Sequence, residues 1–324
     1  NRVRRQRQMC IRDRSNIELF REKHPKDTFI ATIGNFDGLH LGHKEILKNM
    51  LSIAKRKKLK RMVIFTEPHA KEFFAEEILS VEAPPRISPW RDKYLSLKKN
   101  GVDVAFFLKF NSNLKGMTPE IFADDILGNL QIRSLMIGDD FKFGKDRKGD
   151  FNFLVNWGKK KGVDVLKTET FKINDKRVSS TRIREALINN DFEEAKILLD
   201  RPYTFSGKVV HGNQLGRTID VPTANLWLPK TNLPIKGVYG VKIQLENRKF
   251  LGIANMGLRP TIGGTMPVLE VHIFNFSEDI YGQRIQVEFC FKVRDEKKFS
   301  GLDQLKEQIK KDISYTLNTF DSNL

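Results

Sequence analysis

Two histidines, an aspartate and three glycines crowd into the stretch Thr32-Ile-Gly-Asn-Phe-Asp-Gly-Leu-His-Leu-Gly-His43. Gly34, Gly38 and Gly42 lack a β-carbon, so the backbone can turn tightly and come close to a ligand. His40 and His43, three apart at the start of a helical pattern, share one face beside N–H groups that have no intrahelical partner. Such an end carries about half a positive charge and favours an anion by ~0.3–1 kcal/mol, and imidazole donors add hydrogen bonds. The chemistry is nucleotide-phosphate binding, with Gly34, Phe36, Asp37, Gly38 and Gly42 around the two histidines. A His-x-x-His metal pair is the competing reading, but no third ligand lies at suggestive spacing and zinc needs three or four.

A second set lies at Val178-Ser-Ser-Thr-Arg-Ile-Arg184. Ser179 or Ser180 can cap the helix that follows, and Thr181 and Arg184 fall one turn apart on one face. Hydroxyls, amides and a guanidinium at a helix start suit a second phosphate contact. Between the two sets stands Gly138-Asp-Asp-Phe-Lys-Phe-Gly144. It is not a P-loop: five residues separate its glycines, and Asp146 stands where Ser or Thr is required. Asp139, Asp140, Phe141 and Phe143 instead suggest a wall for a planar ring, the alternative being an acidic turn with core phenylalanines. His69, in Thr66-Glu67-Pro68-His69, ends another strand at the same level.

A third set lies far downstream. In extended backbone, Thr223 and Asn225 of Pro222-Thr-Ala-Asn225 point to one face and set a hydroxyl beside an amide oxygen. Magnesium keeps waters and phosphate oxygens as its other ligands, so two protein oxygens suffice, although such a tetrapeptide is more often a turn with local hydrogen bonds. The preceding loop, His211-Gly-Asn-Gln-Leu-Gly-Arg217, has two glycines and a cation suited to phosphates. Glu270 alternates with Leu269 and Val271, faces away from them, and is placed to act as a general base or to form a barrel salt bridge.

The elements that position these groups change character along the chain. Apolar strands at Phe29–Ile33, Arg61–Phe65, Val102–Leu108, Ser134–Ile137 and Val163–Leu166 alternate with helical patterns at 43–54, 91–99 and 119–130. That alternation predicts right-handed crossovers and a parallel sheet with ligands at the strands' carboxyl ends. Beyond a helix at 193–199 and the Arg201-Pro202 boundary come short strands at 207–211, 237–244, 250–254, 268–274 and 284–293. Their spacing predicts a small antiparallel barrel closed by a helix at 302–317.

The domain reading is residues 15–186, a connecting helix at 187–200, and 201–324. Residues 1–14 hold six arginines against one aspartate and show no apolar periodicity, so they read as a basic tail outside the native fold. They account for +5 of a net charge of +17. The remaining lysines are spread over helices and loops, which is the pattern of solvated faces rather than a nucleic-acid groove. No segment approaches the roughly 18 apolar residues of a membrane span. Two cysteines, Cys10 and Cys290, make no disulfide framework, and the cytoplasm is the expected compartment. Self-association is left open.

Gly34-x-Phe36-Asp37-Gly38-x-His40-x-Gly42-His43 with Ser179-Ser180-Thr181-x-x-Arg184 resembles the nucleotidyltransferase superfamily. With Gly138-Asp139-Asp140-Phe141 between them, the N-terminal part resembles the adenylyltransferase module of bacterial bifunctional riboflavin kinase/FAD synthetases. The His-Leu-Gly-His signature is shared with class I aminoacyl-tRNA synthetases, whose Lys-Met-Ser-Lys-Ser loop is absent here. Gly207-x-Val209-Val210-His211-Gly212, Gly216-Arg217, Pro222-Thr223-Ala224-Asn225, Gly237-Val238-Tyr239, Asn255-x-Gly257-x-Arg259-Pro260-Thr261, Leu269-Glu270-Val271-His272 and Tyr281-Gly282 resemble, in that order, the riboflavin kinase domain. The resemblance implies a Rossmann-like α/β domain with a parallel sheet, followed by a small antiparallel β-barrel kinase domain with a C-terminal helix. It also implies ATP, riboflavin, FMN and FAD as substrates and products, with Mg²⁺ as cofactor. His40, His43 and Glu270 would be catalytic. Ser180, Thr181 and Arg184 would hold ATP phosphates, and Asp139, Asp140, Phe141, Phe143 and His69 would face the flavin. Lys208, His211, Gly212, Gly216, Arg217, Thr223 and Asn225 would bind the kinase's ATP, the last two through the metal. The family usually has Leu-Gly where Leu199-Asp200 stands.

Overall fold

A computed structural model describes residues 14–77, 82–138, 140–212, 221–228, 232–261 and 264–322. Its contacts divide the chain into two compact units. One comprises the described residues up to Pro84 together with Lys93–Ser179, and the other Pro85–Asp92 with Ser180 onward.

The first unit is organised by a five-stranded parallel sheet of β1 (Phe29–Ile33), β2 (Lys60–Glu67), β3 (Val104–Lys109), β4 (Ile132–Ile137) and β5 (Asp164–Lys167), in the order β3-β2-β1-β4-β5. A two-stranded antiparallel ribbon, β6 (Lys172–Ile173) and β7 (Lys176–Arg177), follows the sheet. The longer helices are α1 (Arg14–Lys23), α2 (Leu41–Lys57), α3 (Ala70–Glu77), α4 (Trp90–Lys99) and α5 (Phe151–Lys161). Ile30 and Val63 pack on one face with Met50 of α2 and Leu97 of α4. Phe29, Met62 and Leu135 pack on the other face with Phe20 of α1 and Leu154 of α5. Burial on both faces explains why the strands read as continuous apolar runs. The chain leaves β1 towards β2 on one side, while β4 flanks β1 on the other. A crevice therefore opens at the carboxyl ends of β1 and β4, where doubly wound sheets bind ligands.

The helix expected over 119–130 is not continuous. A helical turn at Pro119–Ile121 passes into a π-turn at Phe122–Ile126 and a 3₁₀ turn at Leu127–Asn129. The widened turn lets Phe122, Ala123, Ile126, Leu127 and Leu130 all reach the core. Asp124 on the same turn accepts a hydrogen bond from Trp157 Nε1 at 3.0 Å. Helices α1, α3 and α5 and the short helix Ser112–Gly116 had no corresponding expectation. In α5, Gly158 packs so closely on the Val163 carbonyl that a β-carbon there would overlap the backbone oxygen. Gly158→Ala is therefore expected to destabilise the protein by about 1–3 kcal/mol, read by denaturant unfolding. An unchanged midpoint would show that the α5–β5 corner yields.

The second unit begins with α6 (Ser180–Ile188) and α7 (Phe192–Leu199), tied by Arg182 to Glu194. Asp200 caps α7 in the left-handed conformation (φ 55°, ψ 35°), which explains why glycine is usual at this position and how an aspartate, which tolerates that region, replaces it. A closed antiparallel barrel follows, built from β8 (Thr204–Val210), β9 (Ala224–Leu226), β10 (Gly237–Leu245), β11 (Arg248–Thr261), β12 (Gly264–Ile273) and β13 (Arg284–Arg294) in the order β10-β11-β12-β9-β8-β13. Phe205, Leu226, Val241, Leu269, Val271 and Phe289 are buried. The C-terminal helix α8 (Leu302–Asp321) is fastened by Arg294, which donates to Asp312 at 2.8 Å; Gln308 also donates to Asp312 at 2.8 Å. Cys290, half-buried on β13, is a free thiol whose pKa burial pushes up to about 11, so it stays protonated and inert at neutral pH. Of the six barrel strands, β9 had no separate expectation, because at three residues it is too short for an alternation signal.

Candidate active sites

At the crevice the chain leaves β1 through a strained turn. Phe36 (φ 49°) and Leu39 (φ 43°) are left-handed although neither is glycine, and Gly38 sits at φ 80°. Such strain persists only where the surroundings hold it, which is a mark of functional turns. Phe36, Asp37 and His40 are all buried. A β-carbon at Gly34 would press within 3.2 Å of the Phe36 ring, and one at Gly42 within 3.2 Å of the His40 ring. The Val178 carbonyl closes the other side of Gly42, 3.4 Å from where that β-carbon would be.

The two histidines have distinct positions. His40 is the N-cap of α2, and its Nδ1 accepts the His43 N–H at 3.3 Å, so in the neutral ring the proton is on Nε2. His43 is sandwiched between Phe36 (4.4 Å, 25°) and His40 (3.6 Å, 18°). Its Nδ1 is buried and, among the described residues, has no hydrogen-bond partner. Burial first, then the neighbouring His40 and Lys93, hold its pKa well below the usual 6.5, so the ring is neutral at physiological pH. A neutral imidazole at a helix N-terminus can donate to a phosphate oxygen without adding a titrating charge.

His69 follows the cis peptide Glu67–Pro68 at the end of β2. Its Nδ1 accepts the Lys71 N–H at 2.9 Å, and its Nε2 meets the Asn35 side-chain amide at 2.7 Å. It is thereby linked to the glycine turn through Asn35, a residue for which the sequence offered no signal. At the end of β4, Asp140 pairs with Arg177 at 2.8 Å, and Gly138 leaves room for the Asp140 carboxylate. Asp139 lies outside the described residues. Phe141 and Phe143 stack at 5.5 Å, but they differ in setting. Phe143 is a core residue packed on Phe122, Phe153 and Gly149, whereas Phe141 is half-buried. A ring-facing wall at this strand end therefore falls to Phe141. Sequence reasoning did not reach a cavity of about 450 Å³ at the carboxyl end of β3, lined by Phe107, Leu108, Asn111, Leu114 and Met117 among others. Its apolar residues read equally well as core.

In the second unit, Ser180 opens α6, Thr181 is exposed, and Arg184 is half-buried with its Nε donating to the Pro85 carbonyl at 2.6 Å.

On the barrel, strand register assembles the third set. Asn225 of β9 lies directly opposite Glu270 of β12, and Glu270 lies directly opposite Asn255 of β11. Residues so paired share a face with β-carbons about 4.5–5.5 Å apart. Leu226, Leu269 and Val271 point into the barrel, so Asn225, Glu270 and Asn255 stand on its outer face. Asn225 is nonetheless buried, because Gly212 lies on its side chain so closely that a β-carbon would overlap the amide. His211, just before, stacks on Tyr281 at 3.8 Å, and Lys208 is exposed beside Gly282. His272 Nδ1 holds the Pro222 carbonyl at 2.8 Å and so orients the backbone that leads to Thr223. Gly216 and Arg217 lie outside the described residues. Glu296, which the sequence gave no reason to single out, brings its carboxylate against Gly257, two residues from Asn255 on the same face. Among the described residues no cluster of three or more His, Cys, Asp or Glu side chains could hold a metal by itself.

A phosphate-type turn at the switch point of a parallel sheet, and a polar strand cluster under a glycine backbone on a closed barrel, define a two-module nucleotide-dependent transferase. The sequence comparisons agree module by module. Residues 22–182 match the FAD synthetase family profile and residues 199–320 the riboflavin kinase profile. The bifunctional riboflavin kinase/FMN adenylyltransferase of Haemophilus influenzae is 45% identical over 293 residues, covering 90% of this chain and 94% of that protein. The Escherichia coli K12 protein of the same description is 40% identical over 290 residues, covering 89% and 91%. A solved structure from Streptococcus pneumoniae described as a macrolide-efflux protein superimposes with a TM-score of 0.74 at 30% identity, covering 96% of this chain and 99% of that one. The chain belongs to the bifunctional riboflavin kinase/FMN adenylyltransferase family. It phosphorylates riboflavin to FMN with ATP, and joins FMN to the adenylyl group of ATP to give FAD and pyrophosphate. Among the described residues no helix is long and apolar enough to cross a membrane.

Proposed function

We propose that the two reactions run at separate sites, one in each unit. The observation that carries this reading is that each unit has its own glycine-backed polar cluster, Gly34–His43 in the first and Gly212–Asn225–Glu270 in the second. In adenylyl transfer the FMN phosphate attacks the α-phosphorus of ATP, and the bond to the β,γ-pyrophosphate breaks. Gly34, Phe36, Asp37, Gly38 and Gly42 shape the phosphate cradle, and His40 Nε2–H, His43 and the α2 N-terminus stabilise the charge that develops. Positioning and electrostatics suffice, with no covalent enzyme intermediate. Phe141, Asp140 and His69, with the cavity at the end of β3, provide for the flavin; its volume lies in the ~300–1,000 Å³ range of ligand pockets.

In the kinase reaction Glu270 accepts the proton of the ribityl hydroxyl as that oxygen attacks the γ-phosphorus and ADP departs. Lys208, His211 and Gly212 line the nucleotide phosphates. The donor set fits Mg²⁺: Thr223 and Asn225 offer a hydroxyl and an amide oxygen, hard ligands that a magnesium ion would complement with phosphate oxygens and water. Bound there, the ion would neutralise phosphate charge. On the sequence reading, the domains are 15–186 and 201–324 joined by 187–200, the partners are small molecules rather than nucleic acid, and the compartment is the cytoplasm.

Isotope placement tests the scheme. With riboflavin and γ-labelled ATP, label should enter FMN first and then FAD; with α-labelled ATP it should enter FAD alone. FAD that carries α-label without any FMN pool, or no phosphorylated flavin at all, would overturn it.

A further inference from the structure

On the outer face of the barrel, Glu270 of β12 has a different neighbour on each flank. The strand order β11-β12-β9-β8 puts Asn225 of β9, and Lys208, His211 and Gly212 at or after β8, on one side of it. On the β11 side stands Glu296. A β-carbon on Gly257 would overlap the Glu296 carboxylate, and it would point outward, because Gly257 alternates with the buried Met256 and shares its side with Asn255. Gly257 lies opposite Val268 and is therefore diagonal to Glu270, at a separation of about 7–8 Å. Two glutamate side chains can reach one small polar group across that gap. The backbone leading to Glu296 is pinned: Lys292 pairs with Asp295 at 2.6 Å, the Asp295 carbonyl accepts from Arg294 at 2.8 Å, and Arg294 also donates to Asp312.

We propose that Glu296 is a further binding residue of the kinase site, which accepts hydrogen bonds from the ribityl hydroxyls of riboflavin and disfavours the phosphorylated product. The inference rests on the reading of Asn225 and Glu270 as the phosphate-transfer pair. In-line transfer needs the attacking oxygen and the departing ADP on opposite sides of the γ-phosphorus. With the nucleotide phosphates on the β9 flank, the alcohol comes from the β11 flank, where Glu296 lies. A carboxylate accepts hydrogen bonds and donates none, so it suits a chain of hydroxyls and repels phosphate oxygens. Glycine at 257 serves the same end, since it lets the carboxylate lie against the strand and adds no side chain of its own to the face. The charge acts differently before and after transfer. Riboflavin ends in a neutral hydroxyl that can donate, whereas FMN brings a phosphate to a face that already carries two glutamates. Its release is thereby favoured.

The test is Glu296→Ala, which removes the carboxylate, beside Glu296→Gln, which keeps its shape without its charge. In riboflavin phosphorylation, Glu296→Ala should raise the KM for riboflavin at least tenfold and leave the KM for ATP within twofold. In both variants the ratio of the FMN inhibition constant to the riboflavin KM should fall at least fivefold. Lost hydrogen bonds weaken both flavins, whereas lost repulsion helps FMN alone. Gly257→Ala, whose β-carbon displaces the carboxylate without removing it, should raise the riboflavin KM as well, and it decides the matter if Glu296→Ala does not fold. A riboflavin KM within twofold of wild type in the folded variants would overturn the inference. So would an unchanged FMN-to-riboflavin ratio, which a structural role or a contact with the flavin ring would give. A raised Mg²⁺ requirement at an unchanged riboflavin KM would overturn it too, by making Glu296 a metal ligand. Retention of riboflavin phosphorylation by Glu270→Gln would instead refute the assignment of the transfer pair, and is read separately.

Discussion

Asn225→Ala is expected to lower riboflavin phosphorylation about a hundredfold or more while supplied FMN is still converted to FAD within twofold of the wild-type rate. The size follows from what the side chain does. Asn225 is buried under the Gly212 backbone and paired in register with Glu270, so in the proposed scheme its loss removes a preorganised polar group at the phosphate-transfer site, of a kind whose removal costs on the order of 10²–10³ in rate. The variant also leaves a void beneath Gly212. A fall in kcat with little change in the KM for riboflavin would place the effect on phosphate transfer rather than on flavin binding. Gly212→Ala approaches the same site from the other side: its β-carbon would collide with the Asn225 amide and displace it, so its kinase defect should follow that of Asn225→Ala. Flavins separated over time from riboflavin alone and from FMN alone give both numbers. Equal loss of the two activities in a folded Asn225→Ala protein would show that the units do not work independently.

Chemistry was legible in the sequence where local backbone geometry alone gathers the groups. The turn after β1 places Phe36, His40 and His43 together because they are close in sequence, and the glycines between them announce it. The alternation of strands and helices likewise gave the parallel sheet and the barrel. The parts that were not legible depend on partners distant in sequence. Asn35 meets His69 across 34 residues, Glu296 meets Gly257 across 39, and neither contact has a periodic signal. Lys93 is hidden for a different reason: on a helix that also carries Arg91, Lys98 and Lys99, it reads as one more solvated cation until burial is known. Phe143 shows the converse ambiguity, since an aromatic at a strand end suits a ligand wall and a core equally, and only its packing on Phe122, Phe153 and Gly149 decides. The broken helix at 119–129 belongs here too, because a π-turn that turns Phe122, Ala123 and Ile126 inward is chosen by the core they fill.

The complementary prediction concerns His43. His43→Ala should reduce FAD formation from FMN about a hundredfold or more and leave riboflavin phosphorylation within twofold, because the imidazole stands at the N-terminus of α2 with no place in the barrel. Its protonation state makes the prediction sharper. Since burial, His40 and Lys93 depress its pKa below 6.5, the folded protein holds it neutral, and adenylylation should show no decline centred near pH 6.5 as pH is raised to 8. Such a decline, absent in the kinase reaction, would show that imidazolium is the working form. Stability gives an independent reading with a definite sign. Below about pH 6.5 an unfolded chain takes up a proton on this histidine that the folded chain does not bind until its own lower pKa is reached, so acidification through that window favours unfolding. Wild type should therefore lose stability between pH 6.5 and the folded pKa, with an uptake of up to one proton on unfolding, and His43→Ala should lack that component. Parallel stability curves for the two proteins would mean that His43 titrates alike in both states. The stack of Phe36, His43 and His40 would then orient a ring whose charge the crevice does not control.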